Sequence, residues 1–265
     1  MSFLYNAGVY NPLYNGLIFL MDIVPWIDAG VAIVIFTIII KLILFPLSKK
    51  AVTTQLKMKK IEPELAELKK KYKDDKQAYA RKTMEVYKTN GVNPFASIIL
   101  ILIQLPIIFA LYKVFLGDFG NINQDILYSF VKVPEVINTS FLGMIDISGK
   151  NIVLAVLAGV SSYIQIKYSL PPASKNPVNK ENMTKEERFK HDLTKTMGVQ
   201  MRYMLPVLAF IISWTISGAI AIYWITSNIF TIGQELVIRR AVAKADDKKQ
   251  ANSGKKESVV AMSKT

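Results

Sequence analysis

Residues 203–234, YMLPVLAFIISWTISGAIAIYWITSNIFTIGQ, run for 32 positions without a charged side chain. As one α-helix they would be about 48 Å long, too long to cross a hydrocarbon core of roughly 30 Å without heavy tilt. Two full spans would need about 40 residues. Two short helices broken near Ser217-Gly218, each of roughly 15–20 residues, fit the stretch. If they do, both flanks of the stretch lie on one side of a membrane, and both flanks are basic.

Three further apolar stretches precede it. Residues 29–47, AGVAIVIFTIIIKLILFPL, contain one charge, Lys41. Residues 94–116, PFASIILILIQLPIIFALYKVFL, carry Lys113 near their end, and residues 151–168, NIVLAVLAGVSSYIQIKY, carry Lys167. Charge counts between the stretches set the topology. Residues 1–28 have no Lys or Arg and two acids, whereas 48–93 have 13 basic and 6 acidic residues. Residues 113–150 have 3 and 4, 167–202 have 8 and 4, and 239–265 have 8 and 3. Basic blocks alternate with neutral or acidic ones, and the positive-inside rule places the basic blocks in the cytoplasm.

The expectation is an all-α polytopic membrane protein with five transmembrane helices, N-terminus out and C-terminus in. Its parts are an extracytoplasmic N-terminus over 1–28, span one at 29–47 and a cytoplasmic helical hairpin over 48–93. Span two at 94–116, an extracytoplasmic loop over 117–150, span three at 151–168 and a cytoplasmic loop over 169–202 follow. Span four at 203–216, span five at 218–238 and a basic cytoplasmic tail over 239–265 complete it.

Composition agrees. The 265 residues are 51% hydrophobic with a net charge of +13, but the charge is segregated in blocks rather than mixed along amphipathic stripes. The positive charge is then mostly topological. Cysteine is absent, which excludes disulfides, thiolate metal sites, cysteine nucleophiles and lipid attachment through cysteine. The one histidine, His191, falls in a polar loop. No G-x-S-x-G, H-E-x-x-H or Walker A motif occurs. No enzyme, metal or cofactor is expected.

The intervening segments are patterned. Leu13, Leu17, Leu20, Met21 and Val24 share one side of a helix over 12–24, with Pro12 suited to its first turn. That helix is expected to lie in the outer interface, with Pro25 and Asp28 breaking it from the first span. In 48–93, Ile61, Leu65, Leu68 and Tyr72 form one apolar stripe, and Tyr79, Thr83, Val86 and Tyr87 a second. Lys73-Asp74-Asp75 makes a turn between them, and Pro63 is placed to kink or restart the first helix. Thr184 and Glu187 fit a capping box for a helix near 185–200. The loop 117–150 shows no strong pattern, and the tail from about 243 is expected to be disordered.

Polar residues inside the apolar stretches are the candidates for function. A charge at mid-span costs about 2.5–3.5 kcal/mol on insertion scales. Lys41 admits two readings: snorkelling to the cytoplasmic surface, or facing a wet cavity. Gln104, Gln165 and Asn228 favour a shared hydrated groove, although each also suits interhelical hydrogen bonding. Trp224, Asn228, Thr231 and Glu235 share a helical face. A rival reading is a small transporter or channel using Lys41 as an anion or proton site.

The run KMKKIEPELAELKKKYKDDKQAYARKTMEVYKTNGVNPFASIILILIQLPIIFALYKVF closely resembles the YidC/Oxa membrane protein insertases. The resemblance is carried by the hairpin with Pro63-Glu64, by Gly91-Val92-Asn93-Pro94 and by Gln104-Leu105-Pro106-Ile107. Ala221-Ile222-Tyr223-Trp224-Ile225-Thr226-Ser227-Asn228 resembles the final span and Met204-Leu205-Pro206 the fourth. The resemblance implies five spans around a hydrophilic groove, open to the cytoplasm and the lipid and closed outside. It implies groove residues Lys41, Gln104, Gln165, Trp214 and Tyr223, and a hairpin, including Tyr72 and Tyr79, that guides clients.

The implied partners are nascent membrane proteins, lipid, the Sec translocon and, through the basic tail and cytoplasmic loops, the ribosome. The implied location is a bacterial inner membrane; no transit peptide is visible. Two departures stand out. Lys41 replaces the family's usual arginine, and Ser217-Gly218-Ala219 replaces a Pro-Ala-Gly turn.

Overall fold

The computed structural model describes residues 5–73, 75–93, 106, 107, 110, 122–169 and 202–262. Most of them are helical. A π-helical turn at Asn6–Tyr10 leads into α1 (Asn11–Ile23). Then come α2 (Ala29–Ile43), α3 (Phe45–Lys71), α4 (Lys76–Thr89), strands β1 (Ser140–Phe141) and β2 (Ile145–Asp146), α5 (Ile152–Ser169), α6 (Arg202–Thr215) and α7 (Gly218–Met262). Gln104, most of 94–116 and the helix expected near 185–200 lie outside the described residues. The chain divides into two compact units, Met1–Ile43 with Leu102–Ile232, and Leu44–Ile101 with Gly233–Thr265.

In the first unit, Pro12 stands where the π-helical turn gives way to α1, just after the Asn11 N–H bonds Asn6 O in the wider π pattern. Its buried face is Tyr14, Leu17, Ile18 and Met21, with Asn15 among them. This shifts the face expected from Leu13, Leu20 and Val24, because the opposite side also carries exposed Phe19 and Ile23. When both sides of a helix are apolar, hydrophobicity does not fix its phase. Gly16 lies against the Phe36 ring, where a Cβ would sit 2.8 Å from Cε2, so α1 and α2 approach closely.

Helix α2 buries Ala29, Ile33, Phe36 and Ile40 along one stripe. Asp28 caps it, accepting from the Val31 N–H at 2.9 Å. Pro46 stands in the first turn of α3, and the chain breaks at Leu44 before it.

The segment 122–150, which carries no periodic signal, is held by single bonds to distant residues. Tyr14 Oη accepts from Asn123 N–H at 2.8 Å. The other carboxylate oxygen of Asp28 accepts from Leu142 N–H at 3.0 Å. Strands β1 and β2 pair antiparallel, Ser140 opposite Asp146 and Phe141 opposite Ile145. Their turn places Leu142 and Gly143 at φ 51° and 71°. The Phe141 ring fills the space a side chain at Gly30 would need. The Ser148 N–H and hydroxyl bond the Asp146 carboxylate and hold its pKa below the usual range.

Ile147 is fully buried, and its carbonyl accepts from Ala219 N–H at 3.1 Å, while Gly149 O accepts from Gly218 N–H at 2.8 Å. Asn151 caps α5 through Leu154 N–H at 3.0 Å. Helices α2, α5 and α7 therefore all start at this one segment.

Among the described residues, α5 is long and apolar enough to cross a membrane by itself, and α6 is apolar but shorter. The apolar half of α7 carries Asn228, Gln234 and Glu235, which lower its mean hydropathy although all three are buried. Gly159 on α5 meets Phe210 Cβ at 3.2 Å and Pro206 O at 3.3 Å on α6, a close small-residue approach. The rest of both helices exposes apolar side chains, among them Val156, Val160, Leu208 and Ile211.

In the second unit, α3 and α4 pack through Ile61, Val86 and Val92, with Met58, Leu65, Leu68 and Tyr87 against them. Pro63 does not end α3: it lies on an exposed face, where the carbonyl it orphans reaches solvent. Asp75 caps α4, accepting from Gln77 and Ala78 N–H at 3.0 and 2.9 Å. Gly91 ends the pair at φ 58°, with Val92 N–H returning to Tyr87 O at 2.8 Å. Such a small cluster makes each member matter: Ile61→Ala should cost about 2 kcal/mol, the low end for a buried isoleucine. Hydrogen exchange should accelerate throughout α3 and α4; unchanged exchange in α4 would show that the helices do not depend on each other.

The 243–262 stretch is helical rather than disordered. Its Ala, Lys and Gln residues are strong helix formers, and it contains no proline.

Candidate functional site

Lys41 lies in the last turn of α2, where a cation opposes the negative end of the helix dipole. Its Nζ donates to Thr231 Oγ1 on α7 at 3.2 Å. Thr231 Oγ1 in turn donates to Ser227 O at 2.7 Å. Among the described residues the ammonium makes this one hydrogen bond and no ion pair.

One turn back along α7, Asn228 Nδ2 donates to Ser161 Oγ at 3.0 Å and Ser162 Oγ at 2.8 Å on α5. Ser161 Oγ itself donates to Ala158 O at 3.0 Å. Asn228, Ser162 and Ser227 are buried; Lys41, Thr231 and Ser161 are half-buried. Helix α7 thus links α2 and α5 through a row of ammonium, hydroxyl and amide groups inside an apolar unit.

The other expected residues are placed differently. Gln165 donates from Nε2 to Ser169 Oγ at 2.7 Å, one turn along its own helix. Trp214 is exposed on α6 and Tyr223 is buried on α7. Tyr72 caps the end of α3, with the Lys71 ammonium 5.7 Å from its ring. Glu64 is exposed and Tyr79 half-buried. Glu235 pairs with Arg239 at 3.1 Å on the same helix. Two residues matter more than the sequence implies: Thr231, which holds Lys41, and Asn15, which holds the segment 122–150. An amide amid aliphatic residues was the visible signal for Asn15.

The row has no nucleophile beside a base. Among the described residues no three His, Cys, Asp or Glu side chains come together to hold a metal. What the row offers is one positive charge and hydrogen-bonding capacity.

Residues 19–246 match the family described as 60Kd inner membrane protein. The chain belongs to this family. Relatives agree along most of its length. The membrane protein insertase YidC of Clostridium tetani is 32% identical over 227 residues, 86% of this chain and 89% of that protein. That of Fusobacterium nucleatum is 31% identical over 234 residues, 88% and 97%. That of Citrifermentans bemidjiense is 31% identical over 238 residues, 89% of this chain but 37% of the longer relative. The family consists of insertases of the bacterial inner membrane, which are not enzymes.

Proposed function

We propose that this protein is a multi-pass membrane insertase. It moves short polar segments of nascent client proteins across the membrane and releases their apolar segments into lipid. The observation that carries the reading is the Lys41–Thr231 contact beside the Asn228–Ser161–Ser162 set, inside a unit whose helices expose apolar faces. A charge kept in such a setting is costly, and a wet groove is what relieves the cost.

In this reading five spans surround a groove lined by Lys41, Gln104, Gln165, Trp214, Tyr223 and Asn228, open to the cytoplasm and lipid. The shared start of α2, α5 and α7 at the segment 122–150 supports an N-out, C-in arrangement with that segment outside. The lysine-rich segments then follow the inner ends of the spans. The spans and loops follow the boundaries given by charge and hydropathy, except that the helix of the first span ends at Ile43.

A client's polar segment must cross an apolar slab where each unsatisfied polar group costs several kcal/mol. A groove hydrated to half depth shortens that path, and short fourth and fifth spans thin the bilayer further. Lys41 attracts acidic client residues. The client's apolar segment then partitions into lipid under the hydrophobic effect. The α3–α4 pair, with Pro63, Glu64, Tyr72 and Tyr79, guides clients at the cytoplasmic mouth. The Sec translocon cooperates for some clients, and the basic 239–265 tail meets the ribosome electrostatically.

The test is insertion of a short single-span client into liposomes holding only this purified protein, read by protease protection of the client's outer segment. Protection above that of protein-free liposomes is expected. Equal protection with folded protein present would overturn autonomous insertion.

A further inference from the structure

The segment 122–131 carries an aromatic cluster that no part of the insertion mechanism uses. Phe130 stacks edge-on against Phe19 of α1 at 5.7 Å between ring centres, and Tyr128 lies 5.6 Å from Phe130. The rings belong to residues 111 positions apart, yet their placement is fixed. Asn15 on α1 donates to Ile126 O at 2.8 Å and accepts from Tyr128 N–H at 2.6 Å. Val131 turns inward, 6% exposed, with its N–H on Tyr128 O at 2.9 Å.

Despite this rigid seating the cluster is open. Phe130 is 63% exposed, and Phe19 and Tyr128 are more than a third exposed. Ile23, one turn after Phe19 on α1, extends the patch at 53% exposure, and Trp26, in the turn that follows α1, is 81% exposed.

We propose that this patch is a membrane-interface anchor: Phe19, Tyr128, Phe130 and Trp26 rest among lipid headgroups and the first acyl carbons of the leaflet where α2, α5 and α7 begin. Three observations select lipid. The patch belongs to the segment whose later residues, 138–151, meet the starts of α2, α5 and α7, and those helices carry exposed apolar side chains, including Ile35 and Ile39 on α2 and Val156 and Val160 on α5. It is built from aromatic rings, with the exposed Lys132 two residues beyond Phe130, the residue types that favour a membrane interface. It is also sparsely charged on the α1 side, where Asp22 is the one ionisable side chain between Phe19 and Trp26. The proposal extends the interfacial position expected of α1 to a segment with no amphipathic pattern. It rests on the membrane reading given above.

The test uses tryptophan emission from the full protein in vesicles made with lipids brominated either just below the headgroup or deep in the acyl chain. One reporter is Phe130→Trp in a background of Trp26→Phe, Trp214→Phe and Trp224→Phe. A second keeps native Trp26 as the only tryptophan and leaves the cluster untouched. A third, Val160→Trp in the tryptophan-free background, sits near the middle of α5.

Expected is loss of most emission from the first two reporters with the shallow bromines and much less loss with the deep ones, the reverse of Val160→Trp. If Val160→Trp is quenched and neither patch reporter is, the anchor is overturned while the membrane reading stands. If the patch reporters escape both lipids and are also shielded from aqueous iodide, a second copy or another protein covers the patch, which overturns the anchor too. If no reporter is quenched, both readings fall.

Discussion

Replacing Lys41 with alanine should abolish insertion of clients whose outer segments are acidic, while Lys41→Arg should sustain it. The alanine variant should fold, because the hydroxyl that holds the ammonium keeps its own acceptor: Thr231 Oγ1 still donates to Ser227 O. Removing Lys41 strands no buried donor. What disappears is a positive charge whose attraction for a carboxylate at 4 Å lies between about 1 kcal/mol in water and about 4 at a protein surface. The middle of that range corresponds to tens-fold in yield.

Arginine keeps the charge, so the electrostatic account predicts rescue. Clients with neutral outer segments should insert nearly as well with alanine as with lysine. Protease protection across a series of clients differing only in Asp and Glu count reads the effect directly. Equal insertion of the acidic clients by Lys41→Ala would sink the role of the charge and leave snorkelling as the account of Lys41.

That contrast also shows what the sequence could reveal. Lys41 and Asn228 stand out because a charge and an amide in apolar runs are expensive, and the structure gives each a partner on another helix. The α3 stripe of Ile61, Leu65 and Leu68 was legible because spacings of 3 and 4 repeat over several turns, and it packs on Val86 and Tyr87. The break between α6 and α7 falls at the small pair Ser217-Gly218, where the chain comes within 3.0 Å of the Ile147 backbone, measured from a Cβ built on Gly218.

The segment 122–150 was not legible. Its strands are two residues long, too short for a period of two to register, and its anchors include isolated hydrogen bonds made with Asn15 and Asp28, more than a hundred positions away. The phase of α1 failed for a related reason, since its exposed side is apolar as well. The 243–262 helix failed for the opposite one, because its charge and low hydropathy outweighed its helix-forming residues.

Asn15→Leu should open the segment 122–131 while leaving the rest of the first unit closed. Asn15 is 2% exposed and makes three bonds: Nδ2 to Asn11 O and to Ile126 O, both 2.8 Å, and Oδ1 from Tyr128 N–H, 2.6 Å. Leucine keeps the branching and heavy-atom count of the side chain but leaves the Tyr128 N–H and Ile126 carbonyl without partners. Each such orphan costs about 1–3 kcal/mol, so the segment should lose roughly 3 kcal/mol of local stability, about a hundredfold in exchange rate at the Tyr128 amide.

The opening should stay local. Tyr14 still holds Asn123, and the far end of the segment is tied by Gly218 N–H to Gly149 O and by Ala219 N–H to Ile147 O, bonds that do not pass through Asn15. Tyr14→Phe removes one neutral bond and should cost about 1 kcal/mol. Amide exchange in detergent decides between a clamp and a general fold residue. A clamp accelerates Tyr128 and leaves Ala219 slow; acceleration of both amides alike would mean that Asn15 supports the whole unit, and no change at Tyr128 would mean that it supports neither.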